Sequence, residues 1–553
     1  MRERIEQAVK ESVAAVCAAR GMAGCGAVVV TVPKEAAHGD YTTAVALGLA
    51  KQAGCGARAL AEEMAADMNE RLRGVAVCEV AGPGFINIRL SAGAGAALLD
   101  RLLARGARIG LSEKYKGKKA NVEYVSANPT GPLTVGHGRN AAIGDVIANV
   151  LAAVGYEVTR EYYFNDAGNQ MNVLARSVRT RYRQLLGIEE ELEENGYQGE
   201  YIIEIAREIK EEYGERLRES DDLKVFGERA VAATFAMIKG TLERMGVRHD
   251  VYFNERSLYE QGKIKETLAD IAKAELSYEQ DGAVWFKAAQ FGAEKDRVLV
   301  KSSGEPTYRL PDIAYHRDKF ARGYDVMIDV FGADHLLTYP DVLACLKALG
   351  YEVERVKVLI HQFVTVVRNG EVVKMSTRKA NYITLDELMD DVGVDAARYF
   401  FVMRRLGSHF EFDVELARKQ SLDNPVFYVQ YAHARMSSIM RHCAEVKPGL
   451  AGQEWGPGSV NAGRLVEAEE QELLRHVAQF DDVVEGVAES CEPHRLTNYL
   501  EKCAELFHRY YNEHQIVVED EELARARLAL VQVTRHVVRN GLALLGVRAP
   551  ERM

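Results

Sequence analysis

Two stretches of this chain combine residue types that could do chemistry on a phosphate. The first is Asn128-Pro129-Thr130-Gly131-Pro132-Leu133-Thr134-Val135-Gly136-His137. Two prolines and a glycine shape a loop, and Gly136 lets backbone approach a bulky ligand. His137 stands at the first turn of an expected helix, where free N–H groups favour anions. Such a site suits the triphosphate of ATP; a turn with a helix-capping histidine is the plainer alternative. The second is Val372-Val373-Lys374-Met375-Ser376-Thr377-Arg378-Lys379. Three cations within six residues can neutralise charge developing on a phosphate during transfer. Lys374 would be the point charge and Arg378 a forked donor. A solvated basic loop is the plainer alternative here. The position about 240 residues after His137, behind the second half of a divided sheet, favours the phosphate reading.

Further candidates lie between these stretches. Phe331-Gly332-Ala333-Asp334-His335 ends an apolar strand, the place where doubly wound sheets bind ligands. Gly332 permits adenine or ribose to lie against backbone, and Asp334 could accept from ribose or the amino group. Tyr308 and Asp312 are four apart, so a helical turn would place them on one face. Asn165 to Gln170 reads as a supporting turn. Tyr428, Tyr431 and Arg435 are spaced to share a helix face, where aromatic and arginine side chains could stack on unpaired bases. Burial in a helical core is the alternative for the two tyrosines.

The elements that must position these groups can be read from periodicity. Residues 1–110 suggest an α+β unit: helical spacing over Arg4–Ala19, a strand at Val28–Val32, a turn at His38–Tyr41, a helix over Thr42–Gln52 and a strand at Phe85–Leu90. Residues 111–385 read as a Rossmann-type, doubly wound parallel domain. Its expected elements are a strand at Asn121–Val125, a helix from Gly136 to about Val154 and a strand at Glu157–Phe164. A charged helical insertion at about 170–290 divides it, with Glu189–Glu194 and Glu208–Glu219 as solvated helix faces. Strands resume at Val284–Phe286, Val298–Val300, Val326–Val330 and Phe363–Val367. Beyond Thr384 the pattern is almost wholly helical, with one helix over Asp391–Leu406. A connector at 386–423 precedes an all-α bundle at 424–553.

Composition narrows the class. A chain of 553 residues is too long for one core, and 47% hydrophobic with 27% charged residues is soluble globular composition. No apolar run spans a bilayer, and the charged N-terminus has no signal-peptide core, so a cytoplasmic protein is expected. The eight cysteines form no C-x2-C pair, which predicts reduced thiols and no bound zinc or other resident metal. A net charge of −11 weighs against a polyanionic partner but leaves room for a local basic face.

The two phosphate-directed stretches resemble the HIGH and KMSKS signatures of class I aminoacyl-tRNA synthetases. The wider run Glu123 to His137, the segment Tyr428 to Arg435, the C-terminal Gly541–Met553 and the region around His38–Tyr41 resemble the arginyl family specifically. The resemblance covers essentially the whole chain. It implies arginine activation by Mg·ATP to arginyl-adenylate and pyrophosphate, then transfer to the terminal adenosine of tRNA(Arg) by a monomeric enzyme. It assigns His137, Lys374 and Arg378 to phosphate chemistry. ATP contacts would come from Thr134, Gly136, His137, Gly332, Asp334, His335, Lys374, Met375 and Ser376. Glu123, Asn128, Tyr308, Asp312 and Glu279 would hold arginine, and Tyr428, Tyr431 and Arg435 the anticodon. The N-terminal unit would contact the tRNA elbow. Thr134 and Thr377 replace a histidine and a lysine of the two signatures.

Overall fold

The computed structural model describes residues 2–22, 28–31, 33, 38–91, 94–336, 338–373, 383–450 and 454–553. The N-terminal unit comprises α1 (Arg2–Ala19), β1 (Tyr41–Thr43), α2 (Val45–Ala53), α3 (Ala57–Arg71), β2 (Ala76–Ala81) and β3 (Phe85–Leu90), with the strands in the order β1-β3-β2. The expected strand at Val28–Val32 is reduced, among its described residues, to one bridge, Thr31 to Thr42. The expected helix over Thr42–Gln52 starts later, because the chain is first tied to β3. Asp40 donates its N–H to the Ile88 carbonyl, and its carboxylate accepts from the Leu90 N–H at 2.7 Å. Gly39, with φ of 92°, lies so close to β3 that a Cβ would meet the Ile88 oxygen at 2.8 Å.

After α4 (Ala94–Arg105) comes the central sheet. Its first half is β4 (Lys119–Glu123), α5 (Val135–Ala153) and β5 (Glu157–Phe164). Helices α6 (Asn169–Leu185), α7 (Glu200–Tyr213) and α8 (Lys224–Arg244) follow, and then β6 (Val251–Asn254). Thus the stretch expected to be a helical insertion contains a strand of the main sheet. Glu189–Glu194 is not helical either. Glu190 accepts from Thr180 and Arg183, and Glu193 pairs with Arg176 at 2.5 Å, strapping the segment along α6.

Next come α9 (Arg256–Glu260), α10 (Lys263–Lys273), β7 (Ser277–Gln280), β8 (Ala283–Phe286) and β9 (Arg297–Val300). The last three form a separate antiparallel sheet with a core of its own, rather than resuming the main one. The main sheet resumes after α11 (Arg309–Ala321), with β10 (Val326–Gly332), α12 (Tyr339–Ala348) and β11 (Val356–His361). All four pairings in it are parallel, in the order β11-β10-β4-β5-β6. The chain builds outward from β4 in one direction, returns to β10 on the other side, and so reverses between β4 and β10. That reversal opens a crevice at the carboxyl ends of these two strands.

The run at 363–367 forms β12 (Val364–Arg368), which pairs with β13 (Glu371–Val372) and not with the main sheet. After α13 (Leu385–Val392) and α14 (Val394–Val402), the chain adds β14 (Phe410–Asp413) parallel to β12. The single helix expected over Asp391–Leu406 is broken at Gly393, whose φ of 81° ends α13. The bundle follows α15 (Val414–Arg418) and contains α16 (Pro425–Val446), α17 (Ala468–Val477), α18 (Phe480–Ser490), α19 (His494–Glu513) and α20 (Glu521–Leu544). Asn424 caps α16 through the Val426 N–H, with Pro425 at the first helical position.

The N-terminal unit and the bundle pack against each other. Tyr41 donates to Asp482 at 2.8 Å, and Gln479 donates to the Asp40 carbonyl. The bundle is also tied to the sheet domain by Arg398, 1% exposed, which binds Asp145 and the carbonyls of Met245 and Leu545. Among the described residues no helix is long and apolar enough to cross a membrane. Cys55, Cys78, Cys345, Cys443, Cys491 and Cys503 are free thiols, but Cys17 is disulfide-bonded, which corrects the expectation of reduced thiols throughout.

Gly144, in the middle of α5, touches the Tyr124 ring so closely that a Cβ would lie 2.2 Å from Cγ. Replacing a mid-helix glycine by alanine ordinarily stabilises by about 1 kcal/mol. Here Gly144→Ala is expected to lower the thermal midpoint, because Tyr124 is fully buried and backed by His249 at a ring separation of 4.3 Å. A calorimetric scan showing a higher midpoint would mean that the ring is free to move away.

Candidate active site

The loop after β4 leaves the sheet through a strained turn. Val125 and Ser126 have φ of 69° and 44°, a region costly for a β-branched residue. Asn140 on α5 holds the turn by accepting from the Val125 N–H at 2.6 Å while donating to the Val330 carbonyl at 2.8 Å. One amide thus clamps the ends of β4 and β10. Farther along, Asn128 accepts from the Asn165 N–H at 3.0 Å and donates to Gln170, which joins the loop to the turn after β5.

His137 caps α5 and is also open to chemistry. Its Nδ1 accepts from the Thr134 N–H at 3.1 Å and lies 3.1 Å from the Thr134 hydroxyl. A ring nitrogen that accepts carries no proton, so the neutral tautomer keeps its proton on Nε2. Burial pushes the pKa down to about 4, only partly opposed by Asp334, and the ring is a neutral donor at neutral pH. Thr134, which stands in the place of a histidine, therefore works on the backbone of the motif. It also bridges to Thr384, and the Leu385 N–H donates to the Leu133 carbonyl at 2.8 Å. Lys374, Met375, Ser376 and Arg378, like all of residues 374–382, lie outside the described residues. The Thr134–Thr384 bridge nevertheless brings the chain immediately after them against the first signature.

Gly332 ends β10, and a Cβ there would meet the Asp334 carboxylate at 2.6 Å. His335 stacks on Phe331 at 4.8 Å. Opposite Gly332 in the sheet stands His361, the last residue of β11. Its Nε2 is 3.3 Å from the Asn140 amide, and burial lowers its pKa to about 4. The sequence reading missed His361, although a histidine closing the apolar run Val358-Leu359-Ile360 is a legible signal.

The carboxylates form the second half of the site. Glu123 is 3% exposed and accepts from Lys319 at 2.6 Å and from Ser126 at 3.0 Å. Lys319, wholly buried, also binds Asp329 at 2.6 Å, and Asp329 binds His316 at 2.9 Å. Glu161 accepts from both Arg322 terminal nitrogens, from Tyr315 and from Asn121. Glu255 accepts from the Tyr163 hydroxyl at 2.7 Å. Asp312 stands among these groups with no hydrogen-bond donor on its carboxylate among the described residues. Burial raises its pKa to about 7; His316 opposes the shift, while Glu123, Glu255 and Asp329 add to it. Asp312, Tyr315, His316, Lys319 and Arg322 lie on one face of α11, turned to the sheet. Apart from Asp312, the sequence reading missed this polar stripe.

Tyr308 and Glu279 depart from expectation. Tyr308 is one helical turn before Asp312, but its side chain is 86% exposed and does not join the network. Glu279 is exposed on β7, paired with Val284 in the separate sheet. It was grouped with the other carboxylates from sequence proximity to a turn, and the separate folding of β7–β9 leaves it outside the cluster.

On α16, Tyr428, Tyr431 and Arg435 do share a face and are half-buried. Arg435 donates to the hydroxyls of Tyr431 and Tyr511 and lies 5.2 and 4.9 Å from their ring centres. His508 of α19 packs against Tyr428 and Tyr431 at 5.0 and 5.7 Å. The cluster is therefore larger than the three residues. On its Tyr428 side it borders a groove lined by Asp423, Glu501 and Glu505, which disfavours phosphate there.

Comparison with known proteins divides the chain into three matched regions. Residues 2–90 match the model for the arginyl tRNA synthetase N-terminal domain, and residues 99–401 that for the class I (R) tRNA synthetase catalytic domain. Residues 429–553 match the DALR anticodon binding domain. The arginine–tRNA ligase of Desulfotalea psychrophila is 48% identical over 530 residues, covering 96% of this chain and 95% of its own. That of Chlorobium phaeobacteroides is 46% identical over 560 residues, covering 100% of both. The crystal structure of Thermus thermophilus arginyl-tRNA synthetase superposes with a TM-score of 0.77 at 23% identity, over 99% of this chain and 100% of that one, and so shares the fold.

An unpaired, half-buried carboxylate should weigh on stability in a pH-dependent way. Asp312 has its folded pKa raised above the usual aspartate value, so the folded state favours the neutral acid. Stability from this group is full below about pH 4 and is lost as pH rises through about 7. Asp312→Asn removes that loss. Its midpoint is expected to exceed that of the parent protein by a margin that grows between pH 4 and 7 and then levels off. A margin independent of pH would show that Asp312 is paired in solution.

Proposed function

The chain belongs to the arginyl-tRNA synthetase family, and from that premise we propose how its residues divide the work of activating arginine with ATP and charging tRNA(Arg). The observation that carries the reading is Asp312. Among the described residues it is the one carboxylate of five in the crevice network without a donor, and it sits at the carboxyl ends of β4 and β10, where a substrate guanidinium can reach it. Glu123 and Asn128 shape the pocket around the amino acid, and the exposed Tyr308 ring forms its aromatic wall.

In the first step a carboxylate oxygen of arginine attacks the α-phosphorus of ATP, the bond to the bridging oxygen breaks, and pyrophosphate leaves. Mg2+ enters with ATP as its substrate complex. The neutral His137 donates from Nε2 to a phosphate oxygen without carrying charge, and the first-turn N–H groups of α5 add their field. Gly332 and Asp334 receive the nucleoside, with His335 beside them. Lys374 and Arg378 supply the positive charge that His137 lacks, and Met375 and Ser376 add neutral contacts to ATP. In the second step a hydroxyl of the tRNA's terminal adenosine attacks the adenylate carbonyl and AMP leaves. No side-chain nucleophile takes part.

The aromatic cluster of Tyr428 and Tyr431 receives the anticodon. Arg435 acts there by fixing the two tyrosine hydroxyls, since its guanidinium is already stacked within the protein. Domains at 1–110, 111–385 and 424–553, joined by a connector at 386–423, belong to this reading, as do a monomeric state and a cytoplasmic location.

ATP–pyrophosphate exchange with each amino acid, run with and without tRNA, tests the assignment. Exchange should be selective for arginine, and a preference for lysine would sink the pocket described. Lys374→Ala should abolish adenylate formation while leaving tRNA binding within about twofold; joint loss of both would contradict a role confined to phosphate.

A further inference from the structure

His316 lies one turn beyond Asp312 on the sheet-facing side of α11 and is 6% exposed. Its Nδ1 is 2.8 Å from the Asp312 carbonyl oxygen, and its Nε2 is 2.9 Å from the Asp329 carboxylate. Both neighbours are acceptors. A neutral imidazole has one N–H, so a neutral His316 would direct a lone pair at an oxygen. Asp329 is not the source of the missing proton, because its other oxygen is bound by the Lys319 ammonium at 2.6 Å. His137 and His361 differ in this respect, since each has a nitrogen facing an N–H donor.

The charge balance points the same way. Glu123, Glu161 and Asp329 face Lys319, Arg322 and a protonated His316, three negative against three positive. Glu255 and Asp312 are left without a cation, and of the two only Glu255 has a donor among the described residues, the Tyr163 hydroxyl. A monocation such as a guanidinium set against Asp312 would offset part of this negative charge.

We infer that His316 is a positioning residue for the amino-acid pocket: a protonated imidazolium that pins the first turn of α11 to β10 and favours the ionised form of the Asp312 carboxylate, held where the substrate guanidinium can reach it. The inference rests on the reading of the crevice as an arginine pocket. The groups that face His316 and Asp312 are Asp329 from β10, Glu123 from β4, Glu255 from the turn before α9, Lys319 from α11 itself and, through its hydroxyl, Tyr163 from β5. Burial works against the imidazolium, but Asp329 more than offsets it, and His316 stays above the usual histidine range. Among the charges acting on Asp312, His316 is the one that favours its ionised form most strongly.

Calorimetric binding of L-arginine to the full-length protein from pH 5.5 to 9 is the first test. Affinity should fall on the acid side as Asp312 takes up a proton near pH 7, and stay flat above about pH 8. A second limb, in which affinity falls as pH rises, would mean that His316 loses its proton in this window, and would overturn the inference. Binding of no arginine at any pH would instead defeat the reading of the pocket itself. His316→Gln keeps a neutral donor within reach of Asp329 and removes the charge. In tRNA-supported exchange it should raise the KM for arginine about threefold at pH 7.5, the loss of ionised Asp312 expected when its pKa rises by about one unit from about 7, with the KM for ATP within twofold. The acid limb of kcat/KM for arginine should move to higher pH, a change that simple loosening of the helix would not produce. An unmoved limb with an unchanged arginine KM overturns the inference. Should the variant fail to fold, the binding titration of the parent protein decides alone.

Discussion

A chain of buried charges, Glu123–Lys319–Asp329–His316, fixes the geometry on which the rest of the site depends. Its four side chains are each 6% exposed or less, and they join the ends of β4 and β10 to one face of α11. Removing such groups from water costs several kcal/mol per ion, and the loss is offset only where every lone pair and proton is met. Here burial acts against each charge, yet Lys319 is held protonated and Asp329 well below the ordinary aspartate range by their mutual contacts. An apolar core at this place would be simpler to stabilise, but it would set neither the rotation of α11 nor the position of Asp312. The chain is best understood as a device for register, with a seat for one further cation at its edge.

The phosphate half of the crevice is built on the opposite principle. His137 and His361 are both pulled toward neutrality by burial, and Arg139, beside them on α5, has its pKa lowered to about 10 by the same cause. Arg139 keeps its charge at neutral pH but spends it on the Gln362 and Arg405 carbonyls, whereas the two histidines are neutral. Neutral donors and helix N–H groups can orient a triphosphate without trapping it. Lys374, Arg378 and Lys379 precede the point where the chain meets the first signature, at the Thr134–Thr384 bridge. The start of α5 and the start of α13 are thus coupled by backbone pairing, and Thr134 supplies the N–H that His137 accepts.

Much of this was legible in the sequence where local and global signals agree. The strand Glu157–Phe164 has the bounds its pattern predicts, and the glycine-rich start of α5 is where the motif puts it. Legibility failed where a pattern has two physical readings. Asp312, Tyr315, His316, Lys319 and Arg322 repeat at helical spacing, and polar residues so spaced usually mark a solvated face. Only the sheet's reversal between β4 and β10 turns this stripe inward. Val284–Phe286 and Val298–Val300 look like buried parallel strands, yet they close on Ser277–Gln280 as an antiparallel unit. The exposure of Tyr308 was equally unreadable: spacing places a Cα on a helix face but does not say whether its side chain is covered, and at the start of α11 it is not.

In a pocket built this way, selectivity and stability are two sides of one imbalance. Asp312 has no donor on its carboxylate among the described residues, and burial opposes its ionised form. A neutral isostere of arginine would fill the same volume but leave that carboxylate desolvated and unpaired, the kind of mismatch that rejects a substrate by several orders of magnitude. A lysine ammonium would satisfy the charge, but as a single hydrated point rather than a planar fork, and it would forfeit one of the two parallel bonds a carboxylate can accept. The chain Glu123–Lys319–Asp329–His316 behind Asp312 is buried and hydrogen-bonded along its length, so it has little freedom to soften either error. Discrimination therefore comes from the rigidity of groups that need not touch the substrate, and the same rigidity makes the empty site less stable than a paired one would be.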